Sequence, residues 1–137
     1  MKKCLVDSGP LVALFNNNDN YHSEAIDIIQ KNDLQLFTTW PVITEVAYLL
    51  GKNRKIVQDF LNWTYDGGLK LFDISLSDLN RIIDLVTKYS DVPMDFADAS
   101  LVAISERESL DNIFSFDSDF YIYRHKKKSF NNIWNDN

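Results

Sequence analysis

The sequence is poor in the residues and segments that mark secreted, membrane-spanning or fibrous proteins. It has one cysteine, four glycines and three prolines in 137 residues. A single cysteine cannot form an internal disulfide, which points to a reducing compartment. No apolar run approaches the roughly 20 residues that a membrane-spanning helix needs, and the run after Lys2-Lys3 is too short for a signal peptide. We therefore expect a cytoplasmic protein with no membrane association.

Positive charge is scarce as well. Fourteen Lys and Arg residues face twenty Asp and Glu residues, which gives a net charge of −6. This balance is unusual for a nucleic-acid-binding protein, where a basic surface is expected. The one dense basic segment is Arg124-His125-Lys126-Lys127-Lys128. It is a candidate for phosphate contacts, with Arg54 or Lys55 as alternatives, although short basic runs are often only solvated surface.

The remaining sequence alternates between short apolar runs and stretches of helical periodicity. The length of 137 residues fits one domain over residues 1–137. Strands are predicted at residues 2–7, 34–38, 69–74 and 112–116, with an edge strand at 130–134. Helices are predicted at residues 11–15, 21–31, 41–50, 53–65 and 95–108, and a further one begins at Ser77 as its cap. The alternation predicts an α/β fold with a parallel sheet of about four to five short strands flanked by helices.

Four carboxylates interrupt the apolar segments of this pattern. They are Asp7 after Cys4-Leu5-Val6, Glu45 among Val42, Ile43 and Val46, Asp98 between Met94 and Leu101, and Asp117 at the end of residues 113–116. An ionised carboxylate that is buried without a compensating charge is very costly. No Lys or Arg occupies a comparable apolar position, so a shared divalent cation is the simpler explanation. Carboxylate oxygens suit Mg²⁺ or Mn²⁺.

The predicted topology allows these four acids to meet. Asp7 and Asp117 both end a strand, and the functional crevice of a parallel sheet lies outside the carboxyl ends of its strands. Glu45 and Asp98 lie on helices that could cross this edge. Asp95 shares a helical face with Asp98 and is a candidate further ligand, as is Asp119. Phosphodiester hydrolysis is the reaction class that best matches a metal site built only of carboxylates.

Each acid also has a simpler interpretation. Asp7 and Asp117 could only cap the turns that follow them. Glu45 could extend into solvent, and Asp98 could pair with Arg107 or Lys88. The combined placement of the four acids at one edge of the sheet favours a common site.

Several short segments together resemble a known protein family. They are Asp7-Ser8, Glu45, Met94-Asp95-Phe96-Ala97-Asp98-Ala99 and Ser115-Phe116-Asp117-Ser118-Asp119-Phe120. Their order and spacing resemble the PIN-domain family, which includes the VapC-type toxins of bacterial toxin–antitoxin pairs, over essentially the whole chain.

The resemblance implies a Rossmann-like α/β fold and a metal-dependent endoribonuclease. It makes Asp7, Glu45, Asp98 and Asp117 the catalytic residues and the ligands of Mg²⁺ or Mn²⁺, with Asp95 as an additional ligand. Ser8 and Ser115 match hydroxyl positions beside the acids. The implied partners are an RNA substrate, a candidate antitoxin protein and a second copy of the chain in a homodimer.

Two other functions compete with the ribonuclease. A non-catalytic PIN-like module that binds nucleic acid or protein is favoured by the negative net charge. An aspartate-based phosphotransfer domain fits less well, because Gly9 stands where a dehalogenase-like phosphatase needs its second aspartate. Tyr48, Phe60, Trp63 and Tyr65 exceed what a small core needs and are candidates for a dimer face or an antitoxin groove.

Overall fold

The computed structural model describes residues 1–136, which form a five-stranded parallel sheet and a small hairpin. The strands are β1 Lys2–Val6, β2 Leu34–Thr39, β3 Lys70–Phe72, β4 Asn112–Phe114, β5 Arg124–His125, β6 Lys128–Ser129 and β7 Asn131–Asn132. The sheet has the order β3-β2-β1-β4-β7, and every neighbouring pair is parallel. Strands β5 and β6 pair with each other as an antiparallel hairpin.

Six α-helices flank the sheet. They are α1 Ser8–Phe15, α2 His22–Asn32, α3 Trp40–Leu50, α4 Arg54–Trp63, α5 Leu76–Lys88 and α6 Phe96–Glu108. Three shorter helical segments are a π-helical turn at Thr64–Gly68 and 3₁₀ helices at Ser118–Tyr121 and Ile133–Asp136. Among the described residues, no helix has the length and apolar character to cross a membrane.

This architecture confirms the predicted parallel α/β fold, in which every predicted strand except β2 is shorter than the sequence indicated. Strand β1 lies at the centre, and its residues Cys4, Leu5 and Val6 are fully buried, as expected of a strand covered on both faces. Strand β4 ends before Ser115 because the Ser115 amide donates to the side-chain oxygen of Asn132 at 3.3 Å. The edge strand expected at residues 130–134 is present as the two-residue strand β7.

Helix α6 is the most deeply buried helix and carries Asp98. All nine residues of Ala97–Ser105 are buried, so the helix lacks the single apolar face of a surface helix. The hydroxyls of Thr39, at the end of β2, and Ser100 are hydrogen-bonded at 2.7 Å. This contact fixes α6 against the carboxyl end of the sheet, where Asp98 lies in its first turn.

The prediction that Ser77 caps helix α5 is wrong. The helix begins at Leu76, and the hydroxyl of Ser75 accepts a hydrogen bond from the Asp78 amide at 3.3 Å. The Asp78 carboxylate accepts from the Ser75 amide at 2.9 Å, which completes a reciprocal capping box. Ser77 lies inside the first turn and cannot fill this role. Asp78 also forms an ion pair with Arg107, which ties α5 to α6.

The two serines provide a test of this cap. We expect Ser75→Ala to lower the free energy of unfolding by about 1 kcal/mol, because it removes the N-cap acceptor. The control Ser77→Ala removes a hydroxyl that contacts the Ser75 hydroxyl at 2.8 Å rather than a backbone amide, so it should change this free energy by less than about 0.5 kcal/mol. Urea denaturation of the two variants measures both values, and equal losses would contradict the assignment.

Candidate metal centre

Three of the predicted acids meet at the carboxyl edge of the sheet. Asp7 directly follows β1, Asp117 lies in the loop after β4, and Asp98 lies in the first turn of α6. One carboxylate oxygen from each acid lies within 4.8 Å of the other two. Strands β1 and β4 are parallel neighbours, so their ends deliver Asp7 and Asp117 to the same point. We call these three residues the acid cluster.

Hydrogen bonds hold Asp7 and Asp117 in place. The Asp7 carboxylate accepts from the Ser8 amide at 2.8 Å and from the Ser115 hydroxyl at 2.9 Å. The same Ser115 oxygen accepts from the Asp117 amide at 2.9 Å. Asp117 in turn accepts from the Asp119 amide at 2.9 Å. Both acids therefore cap the helices that follow them, and Ser115 links them within the cluster as well.

Asp98 has no cationic partner among the residues that the structure describes. Arg107, one of its two expected partners, binds Asp78 instead, and the ammonium of Lys88 lies over the Tyr89 ring. The Tyr123 hydroxyl donates to the Pro93 carbonyl at 2.7 Å and lies 3.5 Å from the Asp98 carboxylate. Within residues 1–136, none of the ion pairs involves a member of the acid cluster.

The pKa values of the two buried carboxylates, Asp7 and Asp98, are raised. Burial, followed by the charges of Glu45 and Asp117, raises the pKa of Asp7 to about 6, against the opposing hydrogen bonds of Ser8 and Ser115. Burial, followed by the charges of Asp7, Asp95 and Asp117, raises the pKa of Asp98 to about 8. Like charges that repel across a few ångströms are stabilised by a bound cation. This donor set of carboxylate oxygens fits a hard divalent ion such as Mg²⁺ or Mn²⁺.

The other predicted ligands lie around the cluster rather than in it. Glu45 is partly exposed on α3 and accepts a hydrogen bond from the Ser8 hydroxyl. Asp95 is the N-cap of α6, and its carboxylate accepts from the Asp98 amide at 2.8 Å. Asp119 lies beside Asp117, and partial burial with the Asp117 charge raises its pKa. The three acids add negative charge at the rim of the site.

Tyr123 is the residue of this site that sequence reasoning missed. Its side chain is fully buried, and burial together with the Asp98 charge raises the pKa of its hydroxyl. The hydroxyl thus stays protonated, and it faces Asp98 and the Pro93 carbonyl. No spacing rule links Tyr123 to Asp98, because the contact joins the segment after the 3₁₀ helix to the first turn of α6.

The basic segment at residues 124–128 lies away from the acid cluster. The Lys126 amide donates to Glu106 at 2.9 Å, near the C-terminal end of α6. Glu106 is eight residues beyond Asp98, or about 12 Å along the helix axis. The Arg124 guanidinium donates to backbone carbonyls, including that of Tyr121 at 2.6 Å. This segment therefore provides no cation at the acid cluster.

Comparisons with known proteins agree with this geometry. The family model described as PIN domain matches residues 4–126. No curated protein matches the sequence. One similar solved structure is the Mycobacterium tuberculosis toxin VapC20, which cleaves the Sarcin-Ricin loop, with a TM-score of 0.78 and 17% identity over 85% of this chain and 91% of that one. A second is VapBC2 from Rickettsia felis bound to a promoter DNA fragment, with a TM-score of 0.65 and 15% identity. The match covers 90% of this chain and 94% of that one. At such identities the two structures establish the fold.

The raised pKa values predict how stability depends on pH. Asp98 has a pKa of about 8 in the folded protein against an ordinary value of 3.8, so the folded protein binds the proton more tightly than the unfolded chain does. This stabilisation is complete below pH 4 and is lost as pH rises through 8. We expect the melting temperature of metal-free protein to fall between pH 6.5 and 8.5.

Two variants and the addition of Mg²⁺ test whether Asp98 causes this pH dependence. Asp98→Asn should flatten the fall, whereas Asp66→Asn, at an exposed acid in the turn after α4, should leave it unchanged. Mg²⁺ should raise the melting temperature at pH 8.5 in the wild type far more than in Asp98→Asn, because it binds the ionised cluster. An identical fall in all three proteins would contradict the role of Asp98.

Proposed function

Since the chain belongs to the PIN-domain family, we propose that it is a metal-dependent endoribonuclease that hydrolyses RNA phosphodiester bonds. One observation carries the proposal. Asp7, Asp98 and Asp117 present oxygens within 4.8 Å of one another, and no ion pair within residues 1–136 neutralises them. A divalent ion, Mg²⁺ or Mn²⁺, accounts for the retention of three such acids in one place.

In this proposal the acids have different tasks. Asp7, Asp98 and Asp117 hold the ion, and Glu45 completes the catalytic set from the rim, where the Ser8 hydroxyl orients it. Asp95 supports the site by fixing the first turn of α6 through the Asp98 amide. When bound, the ion lowers the pKa of a coordinated water and stabilises charge on phosphate oxygens. The Ser115 hydroxyl donates to Asp7 and accepts from the Asp117 amide, so it fixes the Asp117 loop relative to Asp7.

The competing function is a non-catalytic module that binds nucleic acid or protein. The net charge of −6 and the distance of the basic segment from the acid cluster favour it. Such a module would need no metal ion to bind its partner. The repulsion among the acids of the cluster would then remain unrelieved. Metal-dependent turnover of RNA distinguishes the two functions.

A cleavage assay with substituted acids tests the proposal. Purified wild-type protein should cleave single-stranded RNA with Mg²⁺ or Mn²⁺ and lose this activity with a chelator. We expect Asp7→Asn and Asp98→Asn each to lower the rate by at least about 100-fold, because even residues that only orient metal ligands contribute 10- to 100-fold. Fragment analysis by gel electrophoresis measures the rates.

The matched control is Asp66→Asn, which removes an exposed carboxylate outside the site and should keep the wild-type rate. Equal cleavage by the wild type and Asp7→Asn would refute the scheme. Expression in bacteria adds a second measurement of the toxin role, since the wild type should arrest growth and Asp98→Asn should not.

The proposal includes a role as the toxin of a toxin–antitoxin pair. The similarity of fold to VapC20, a toxin, and to VapBC2 supports this role. The partner would be a small antitoxin protein that blocks the acid cluster or its approach. A cytoplasmic location belongs to the proposal, because RNA, the proposed substrate, is an intracellular polymer.

A homodimer is the assembly that we propose for this protein. Large apolar side chains outside the acid cluster, among them Leu61, Leu76 and Ile83, are exposed on α4 and α5. Exposed apolar side chains mark a protein interface where they form a contiguous patch. Light scattering at micromolar concentration should therefore give twice the mass of the chain, and the mass of a monomer would remove the dimer from the proposal.

A further inference from the structure

A wide groove adjoins the acid cluster and has no role in the site described so far. It runs between α3 and the start of α6, encloses about 710 Å³ and is lined mainly by apolar atoms. Its principal residues are Trp40, Thr44, Glu45, Tyr48, Asp95 and Phe96. Cavities of roughly 300–1,000 Å³ commonly hold organic ligands, so the groove has room for a substantial group.

The groove adjoins the acid cluster through two acids at the rim of the cluster. Glu45 lines the groove and is hydrogen-bonded to Ser8, the residue after Asp7. Asp95 lines it from the other side and caps the turn that carries Asp98. A polymer with one phosphate at the acid cluster would therefore extend its neighbouring residues into this groove.

Three aromatic rings are presented to solvent along the groove. Tyr48 is 83% exposed, and Trp40 and Phe96 are each about half exposed. Trp40 and Tyr48 lie two turns apart on the same face of α3. The Trp40 indole donates to Asp73 at 3.1 Å, which fixes the orientation of its ring. Fixed, exposed aromatic faces are the platforms on which proteins stack unpaired bases.

The charge of the groove selects which part of a nucleic acid can enter. Its lining includes the carboxylates of Glu45 and Asp95, and no Lys or Arg from the described part of the chain. A phosphate backbone laid along the floor would be repelled, whereas uncharged bases would not. Bases within a duplex are stacked inside the helix and cannot reach the rings.

We propose that this groove binds the unpaired bases of an RNA strand next to the phosphate at the acid cluster, by stacking on Trp40, Tyr48 and Phe96. The inference rests on the proposed endoribonuclease function and assigns to this groove the bases that flank the reacting phosphate. The backbone of the bound strand faces solvent, which is consistent with the lack of basic residues in the groove.

Two tyrosines of nearly equal exposure provide a matched pair for the test. Tyr48 lies in the groove, and Tyr65, 88% exposed, lies in the turn after α4 outside it. Tyr48→Leu and Tyr65→Leu are made in an Asp7→Asn background, which prevents cleavage during the measurement. Fluorescence polarisation in Mg²⁺ then follows binding of a short labelled oligoribonucleotide, alone or annealed to its complement.

We expect Tyr48→Leu to weaken binding of the single strand by about 5-fold to 150-fold, the range for loss of one base–aromatic stack. Tyr65→Leu should change it by less than about 2-fold, and the duplex should bind at least about 10-fold more weakly than the single strand. Binding should also quench tryptophan emission, and Trp40→Leu should abolish most of that quenching.

The outcomes separate this inference from the proposed function. If the wild type cleaves RNA and the Tyr48→Leu and Tyr65→Leu variants have equal RNA affinities, base binding in the groove is refuted. The proposed nuclease function then stands. If only Tyr48→Leu loses RNA binding and the wild type cleaves no RNA with any metal ion, base binding in the groove is supported. The proposed nuclease function is then refuted. If Tyr48→Leu alters the mass from light scattering but not the RNA affinity, the groove is a protein interface and the inference fails.

Discussion

Repulsion among buried carboxylates is the constraint on which the rest of this structure depends. Asp7 and Asp98 are buried, and Asp117 presents its carboxylate to the same point. Burial and mutual repulsion raise the pKa of Asp7 to about 6 and that of Asp98 to about 8. Protons or a bound metal ion would relieve the repulsion within such a group of acids.

Among the described residues, the arginines of α5 and α6 form ion pairs away from this position. Arg107 is bound to Asp78, and Arg81 is bound to Glu106 at 2.7 Å, so both guanidinium groups are used to connect α5 with α6. The basic hairpin also contacts Glu106, at the end of α6 far from Asp98. Hydroxyl and amide donors from Ser8 and Ser115 surround Asp7 instead. These groups orient a carboxylate without neutralising it, which leaves its charge for a metal ion.

In the proposed function, the metal site and the groove that binds bases lie at the same edge of the sheet. Helices α3 and α6 begin near this edge, and each presents an acid to the cluster or its rim and an aromatic ring to the groove. Glu45 and Tyr48 do so on α3, and Asp98 and Phe96 do so on α6. An arrangement in which one pair of helices serves both purposes would align a bound strand with the reacting phosphate.

The sequence alone determined the alternation of strands and helices, the parallel sheet and the identity of the acids, because apolar periodicity and interrupted hydrophobic runs are local properties of a chain. It also indicated that Asp7 and Asp117 would meet, since ends of parallel strands share an edge. Tertiary structure decided that Glu45 and Asp95 stay at the rim, that Tyr123 faces Asp98 and that the basic segment lies at the far end of α6. Those outcomes depend on the rotation and docking of helices and on long-range contacts, which no local pattern of residues encodes.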